Sequence, residues 1–171
     1  PAIFGTNRDE QKIFMFVDPR WTKQLLGILP RLRDPDLYDA TAETLSRLWA
    51  VRGAVEPATA RSTAGQTSWV YRWDWDEEPT ILGSDLSRMI GAAHGLEIPF
   101  VFGHFYLGPE GERIFADSDA ESRRQLSRAM MAYWAHFART GDPGSGGQTD
   151  LPRWQPWQSS PTAERLLVFD T

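Results

Sequence analysis

Residues 68–75, SWVYRWDW, place Trp69, Tyr71, Trp73 and Trp75 at alternate positions against Ser68, Val70, Arg72 and Asp74. A period of two rich in aromatic residues is the pattern of a β-strand, and Pro79 with the turn material around it closes the run. Such a strand needs partners at its edges and cover on its faces, so the segments able to supply them decide the fold. AIFG at 2–5 is a second short apolar run, ended by Gly5 and followed by the polar TNRDE. It reads as a strand running into a loop, with the polar residues held at the strand end. RLLVFDT at 165–171 is apolar enough for a last strand or edge segment.

Helical segments lie between these runs. Asp34 followed by Pro35 signals a helix start, and Leu37, Leu45, Leu48 and Trp49 supply an apolar face that ends at Gly53. A second short helix fits residues 55–64, with Pro57 near its start. The clearest helix starts at Ser118, where Glu121 completes a capping box, and runs to Arg139 before TGDPG stops it. Its residues Leu126, Met130, Tyr133, Trp134 and Phe137 form one face that should pack along a larger body. Residues 141–149, GDPGSGGQT, are turn material, and no internal repeat is found. Strands alternating with helices predict an α/β fold with a mainly parallel sheet. A parallel sheet is covered on both faces, and two or three strands are too few to make one that is self-contained.

A chain of 171 residues, 41% hydrophobic and with eight tryptophans, suits one domain with a sizeable core. Its formal net charge of −5 comes from 23 acidic and 18 basic residues that are interspersed. Without a basic stripe to neutralise a phosphate backbone, this argues against a nucleic-acid partner. The absence of cysteine removes disulfides, thiol nucleophiles and thiolate metal sites. No segment has the apolar length of a membrane span, and PAIFGTNRDE does not read as a signal peptide. Localisation stays open between cytoplasm and secretion. The chain starts at Pro1 without Met, so Pro1 need not be the native N-terminus.

Three histidines are available for chemistry. His136, inside the long helix, reads as structural or half-exposed, and His104, in an aromatic run, as a hydrogen-bonded core or rim residue. His94 differs: Gly91, Ala92, Ala93 and Gly95 surround it in a loop, which lets other groups approach the imidazole closely. A loop histidine of this kind is where a general base is presented on a rigid scaffold. A base needs a carboxylate to hold its tautomer, and TNRDE offers Asp9 and Glu10, although from spacing alone a solvated turn or helix N-cap accounts for the pair better than catalysis does. Glu97, three residues after His94, sits in GLEIPF and is expected to be buried and to accept hydrogen bonds. The histidine spacing supports no metal site, and GDPGSGG follows a helix instead of opening one, so no cofactor is expected. The Gly-x-Ser-x-Gly turn of a serine nucleophile is also missing, since Pro143 stands where Ser145 would need the first glycine.

Taken in order, GTNRDE at 5–10, GAAHGLEIPFVFG at 91–103, YWAHFARTGDP at 133–143 and LPRWQPW at 151–157 resemble the type-B carboxylesterase family, which includes cholinesterases and bacterial para-nitrobenzyl esterases. The similarity spans nearly the whole chain. It implies an α/β-hydrolase with a Ser-Glu-His triad, Glu10 as the catalytic acid and His94 as the catalytic histidine. Residues 1–171 would then be the C-terminal segment of a single hydrolase domain, with the serine and the oxyanion-hole glycines upstream in the N-terminal portion. Glu97 resembles an acidic residue that supports the active centre from behind. The implied substrate is a small carboxylic ester, the chain alone should be inactive, and the family often forms homodimers.

Two positions depart from the pattern: Gln11 stands where the family usually has glycine, and Leu96 where cholinesterases have tyrosine, so a choline site is not supported. The alternative implied by the same resemblance is a non-catalytic, cholinesterase-like binding or adhesion module, against which the retention of Glu10 and His94 argues.

Overall fold

The computed structural model describes residues 1–25, 29–108, 114–115, 120–158 and 166–171. Its centre is a three-stranded, all-parallel sheet of β1 (Ala2–Asn7), β4 (Ser68–Trp73) and β7 (Leu166–Phe169), in the order β1-β4-β7. Two antiparallel pairs flank it: β2 (Thr22–Leu25) with β3 (Leu29–Leu32), and β5 (Thr80–Ile81) with β6 (Ser84–Asp85). The helices are α1 (Lys12–Phe16), α2 (Pro35–Ala50), α3 (Glu56–Thr63), α4 (Leu86–Met89), α5 (Ile98–Phe102) and α6 (Ala120–Thr140). Strand–helix alternation around a parallel sheet is the predicted α/β arrangement.

The aromatic alternation of β4 sorts its side chains onto two faces. Trp69 and Trp73, with Trp75 just beyond the strand, enter the main core with Phe100, Met130, Tyr133 and Trp154. Val70 points the other way and packs with Ala54, Ala58 and Trp157. Both faces of this central strand are therefore covered, as a parallel sheet requires. Gly5 pairs with Tyr71 across the sheet, and a Cβ at Gly5 would lie only 2.0 Å from the tyrosine ring, so only glycine fits there. The LPRWQPW segment is bound along β4: Trp154 Nε1 donates to the Val70 carbonyl at 3.0 Å, and the Trp157 amide to the Ser68 carbonyl at 2.8 Å.

The long helix behaves as its apolar spacing predicts. Leu126, Met130 and Tyr133 of α6 are buried, and Trp134 and Phe137 pack against the same core. Its capping residue Ser118 lies outside the described residues.

The α2 helix differs from expectation in two ways. Asp34 caps it, accepting from the Leu37 amide at 3.1 Å, but Gly53 does not end it. The chain widens into a π-helical turn at Val51–Val55 and continues directly into α3. A π turn lets the helix pass glycine without breaking, and Gly53 borders the open side of Trp49. The face drawn from Leu37, Leu45, Leu48 and Trp49 is also exposed, while Tyr38, Ala42 and Ser46 carry the packing. Tyr38 is fully buried and donates its hydroxyl to the Met89 carbonyl at 2.6 Å, with the Lys12 carbonyl 3.0 Å away. Burial raises this hydroxyl above the ordinary tyrosine range, so it stays a donor holding α1, α2 and α4 together.

Candidate active site

The C-terminal ends of parallel strands are where open α/β sheets place their ligands. At that end the Arg8 amide donates to the Trp73 carbonyl at 2.9 Å and the Asp74 amide to the Phe169 carbonyl at 2.9 Å, continuing the ladder past β1 and β4. The polar TNRDE segment is thereby presented at the strand end, as predicted.

Glu10 is buried, with 3% of its surface exposed, and its carboxylate is surrounded by donors. Oε1 accepts from the Asn7 amide at 2.8 Å and from the Thr6 hydroxyl at 3.2 Å. Oε2 lies 2.7 Å from Nδ1 of His94, 84 residues along the chain. A carboxylate only accepts, so the proton of this bond sits on Nδ1 and leaves Nε2 as the basic nitrogen. Nε2 has no hydrogen-bond partner among the described residues, and 46% of the His94 side chain is exposed. One ring nitrogen is thus fixed from within while the other is open to a reactant. Phe14 and Trp49 flank the ring at centroid distances of 5.6 and 5.2 Å, the tryptophan edge-on. Trp49 also lines an open cleft of about 460 Å³ with Gln11, Leu45, Leu48, Arg52 and Gly53.

Asp9, which spacing alone left as a solvated turn or cap, is neither. It is buried and exchanges bonds with the histidine loop: its amide donates to the Ala92 carbonyl at 3.0 Å, and its Oδ2 accepts from the Ala92 amide at 3.2 Å. Lys12 and Arg8 pair with the two carboxylate oxygens, each at 3.0 Å. Gly91 precedes this contact with φ +52°, and a Cβ there would lie 2.7 Å from Asp9 Oδ2 and 2.9 Å from the Ser87 carbonyl. Glycine is required on both counts.

Glu97 is half-buried and accepts from Asn7 Nδ2 at 2.6 Å. Gln11 sits in ordinary right-handed helical backbone at the start of α1, so the departure from glycine leaves the turn intact, and its amide donates to Ser46 Oγ at 3.2 Å. Leu96 is buried in the main core. The other histidines stand apart: His136 Nδ1 meets the Asp142 carbonyl at 2.7 Å, and His104 is exposed, its side chain without a hydrogen-bond partner among the described residues.

Sequence reasoning missed two groups. Asn7 contacts both the acid and the histidine loop, and its signal was the polar residue at a strand end. Glu78 is buried, and neither carboxyl oxygen reaches a hydrogen-bond partner among the described residues. Burial, helped by the nearby Asp76 and Asp9 charges and opposed by Lys12, pushes its carboxyl up to about 8. Among the described residues, no group of three His, Asp or Glu could hold a metal ion, and no helix is long and apolar enough to cross a membrane.

The profile of the Carboxylesterase family matches residues 2–170. The chain is 36% identical over 123 residues to carboxylesterase 5A of Felis catus, covering 72% of this chain and 21% of that protein. It is 30% identical over 182 residues to para-nitrobenzyl esterase of Bacillus subtilis (strain 168), covering 98% of this chain and 34% of that protein. Among solved structures, a PNB esterase superposes with a TM-score of 0.61 at 24% identity, covering 99% of this chain and 34% of that one. A Geobacillus stearothermophilus carboxylesterase superposes with the same score and identity, covering 99% and 36%. These likenesses show the α/β-hydrolase fold. The chain spans 21% to 34% of the length of the two curated relatives described.

Proposed function

The chain belongs to the carboxylesterase family, and from that premise we propose that it is the C-terminal segment of a hydrolase of small carboxylic esters, supplying the acid and the base of a Ser-Glu-His triad. The observation that carries this reading is the 2.7 Å bond between a buried, donor-surrounded Glu10 and a His94 whose other nitrogen is open. The nucleophilic serine and the oxyanion-hole donors belong, in this reading, to the N-terminal portion of the same hydrolase.

In this reading each group has a step. His94 Nε2 takes the serine proton as the hydroxyl oxygen attacks the ester carbonyl, and the resulting imidazolium is stabilised by Glu10 through Nδ1–H. His94 then returns the proton to the alkoxide leaving group, and an acyl-enzyme remains. Water, deprotonated by the same Nε2, attacks the acyl carbonyl and releases the acid and the free serine. Glu10 accepts from Nδ1–H throughout, while the Asn7 N–H and the Thr6 hydroxyl hold its other oxygen in place. Residues 1–171 alone are inactive in this reading. They hold no nucleophile, and each absent oxyanion donor is worth about 2.7–4 kcal/mol of barrier.

Fluorophosphonate labelling of the full-length protein should modify one serine. Complete absence of label would reduce the fold to a binding module. In the unlabelled full-length enzyme, His94→Ala and Glu10→Gln should each lower kcat by roughly 10³–10⁴-fold with the fold intact. Variants that keep wild-type turnover would remove these two residues from the triad.

A further inference from the structure

At the strand end one residue meets the acid through its backbone N–H and the histidine turn through its side chain. Asn7, the last residue of β1, is 3% exposed and is paired in register with Trp73 of the central strand. Its backbone N–H donates to Glu10 Oε1 at 2.8 Å. Its amide nitrogen carries two protons, and both are used: one goes to the Ala93 carbonyl at 2.8 Å and the other to Glu97 Oε2 at 2.6 Å. A backbone carbonyl can only accept, which fixes the nitrogen and not the oxygen of the amide at this place. Ala93 immediately precedes His94, and Glu97 follows it by three residues. One amide therefore grips the histidine turn on either side of the imidazole.

We propose that Asn7 is the positioning residue that sets His94 against Glu10, an inference that rests on the triad reading above. Asp9 secures the approach to the turn at Ala92, and among the described residues it bonds to no later residue of that turn. The spacing between the carboxylate and Nδ1 is decided where Asn7 joins the two loops. Glu97 takes its supporting role through this amide, since among the described residues its side chain bonds to Asn7 and not to His94. Leucine at position 7 would keep the size but leave the Ala93 carbonyl and Glu97 without their donors. Aspartate would put a third acceptor against those two.

The test uses the intact hydrolase labelled with ¹⁵N-histidine and ¹⁵N-asparagine. In the wild type, His94 should show the Nδ1–H tautomer with a hydrogen-bonded, slowly exchanging proton, and both Nδ2 protons of Asn7 should be protected from exchange. Asn7→Leu and Asn7→Asp should abolish the slow Nδ1–H resonance and lower kcat by about 100-fold, with KM held within about threefold. A folded variant of either kind that retains that resonance and wild-type kcat overturns the proposal. Rapid exchange of the Asn7 Nδ2 protons in the wild type overturns it without any variant, so failure of both variants to fold does not protect it. A wild-type protein that turns over no ester defeats the triad reading, while the two exchange measurements still decide the role of Asn7.

Discussion

The sheet-and-α6 half of the chain and the α2 half treat their apolar side chains in opposite ways. On the first side Trp73, Trp75, Phe100 and Met130 are fully removed from solvent. On the second, Leu37, Leu45, Leu48, Trp49 and Val51 stay between 39% and 55% exposed. His94 sits on that second side, touching Trp49 and Phe14. The first region carries stability, because burial is what stabilises. The second is an apolar surface around His94, and our reading of the chain as part of a larger hydrolase assigns it to contact with the remainder of that enzyme and with substrate.

Truncation in the packed region should cost most. Phe100→Ala removes a ring in contact with Trp73, Trp75, Phe105 and Phe115, and should lower stability to denaturant by about 3–5 kcal/mol. A loss below about 1 kcal/mol would mean that the two regions do not differ as described.

Glu78 offers a pH-dependent test of the packed side. Its folded pKa of about 8 lies above the ordinary 4.5, so the fold holds the proton more tightly than the unfolded chain does. This stabilisation is complete below pH 4.5 and is lost progressively as pH rises through 8. Glu78→Gln should flatten that slope and exceed the wild type by on the order of 3 kcal/mol at pH 9. Parallel urea titrations of the two proteins across pH 4–9 that stay a constant distance apart would refute it.

Gly91→Ala probes the seam between the regions, where Asp9 meets the histidine loop. A Cβ inside contact distance of Asp9 and the Ser87 carbonyl, at φ +52°, should cost about 2 kcal/mol. It should also shift the His94 imidazole resonances, whereas Gly65→Ala, with open space around it, should leave them unmoved. The smallest effect, measured on residues 1–171 alone, belongs to Leu48→Ser on the exposed face, expected within about 0.5 kcal/mol of the wild type. A loss comparable to that of Phe100→Ala would show that the α2 face is covered in solution.

Much of this arrangement was legible residue by residue. The period of two in β4, the Asp34-Pro35 start of α2 and the apolar stripe of α6 are local patterns, and the structure reproduces each. The α2 face misled because periodicity reports which residues share a side, not whether that side is covered. Gly53 misled because an uninterrupted helix can absorb a glycine through a π turn. IPFVF gave only an apolar run, which became α5, since a short apolar stretch has no period long enough to distinguish strand from helix.

For the site, the amino-acid sequence by itself determined the chemical inventory: one loop histidine among small residues, carboxylates at a strand end, no cysteine, and motifs in the order shared by the family. Spacing left Asp9 and Glu10 undivided and only the family resemblance implied Glu10; the tertiary structure is what brings that carboxylate, and not its neighbour, to the histidine. Asp9 and Glu10 are adjacent and chemically alike, yet one binds the Ala92 backbone and the other the imidazole, because their side chains leave the strand end in different directions. That division, and the part of Asn7 in holding it, rests on hydrogen bonds spanning more than eighty residues, whose geometry exists only once β1 and β4 are paired and the two loops share one end of the sheet.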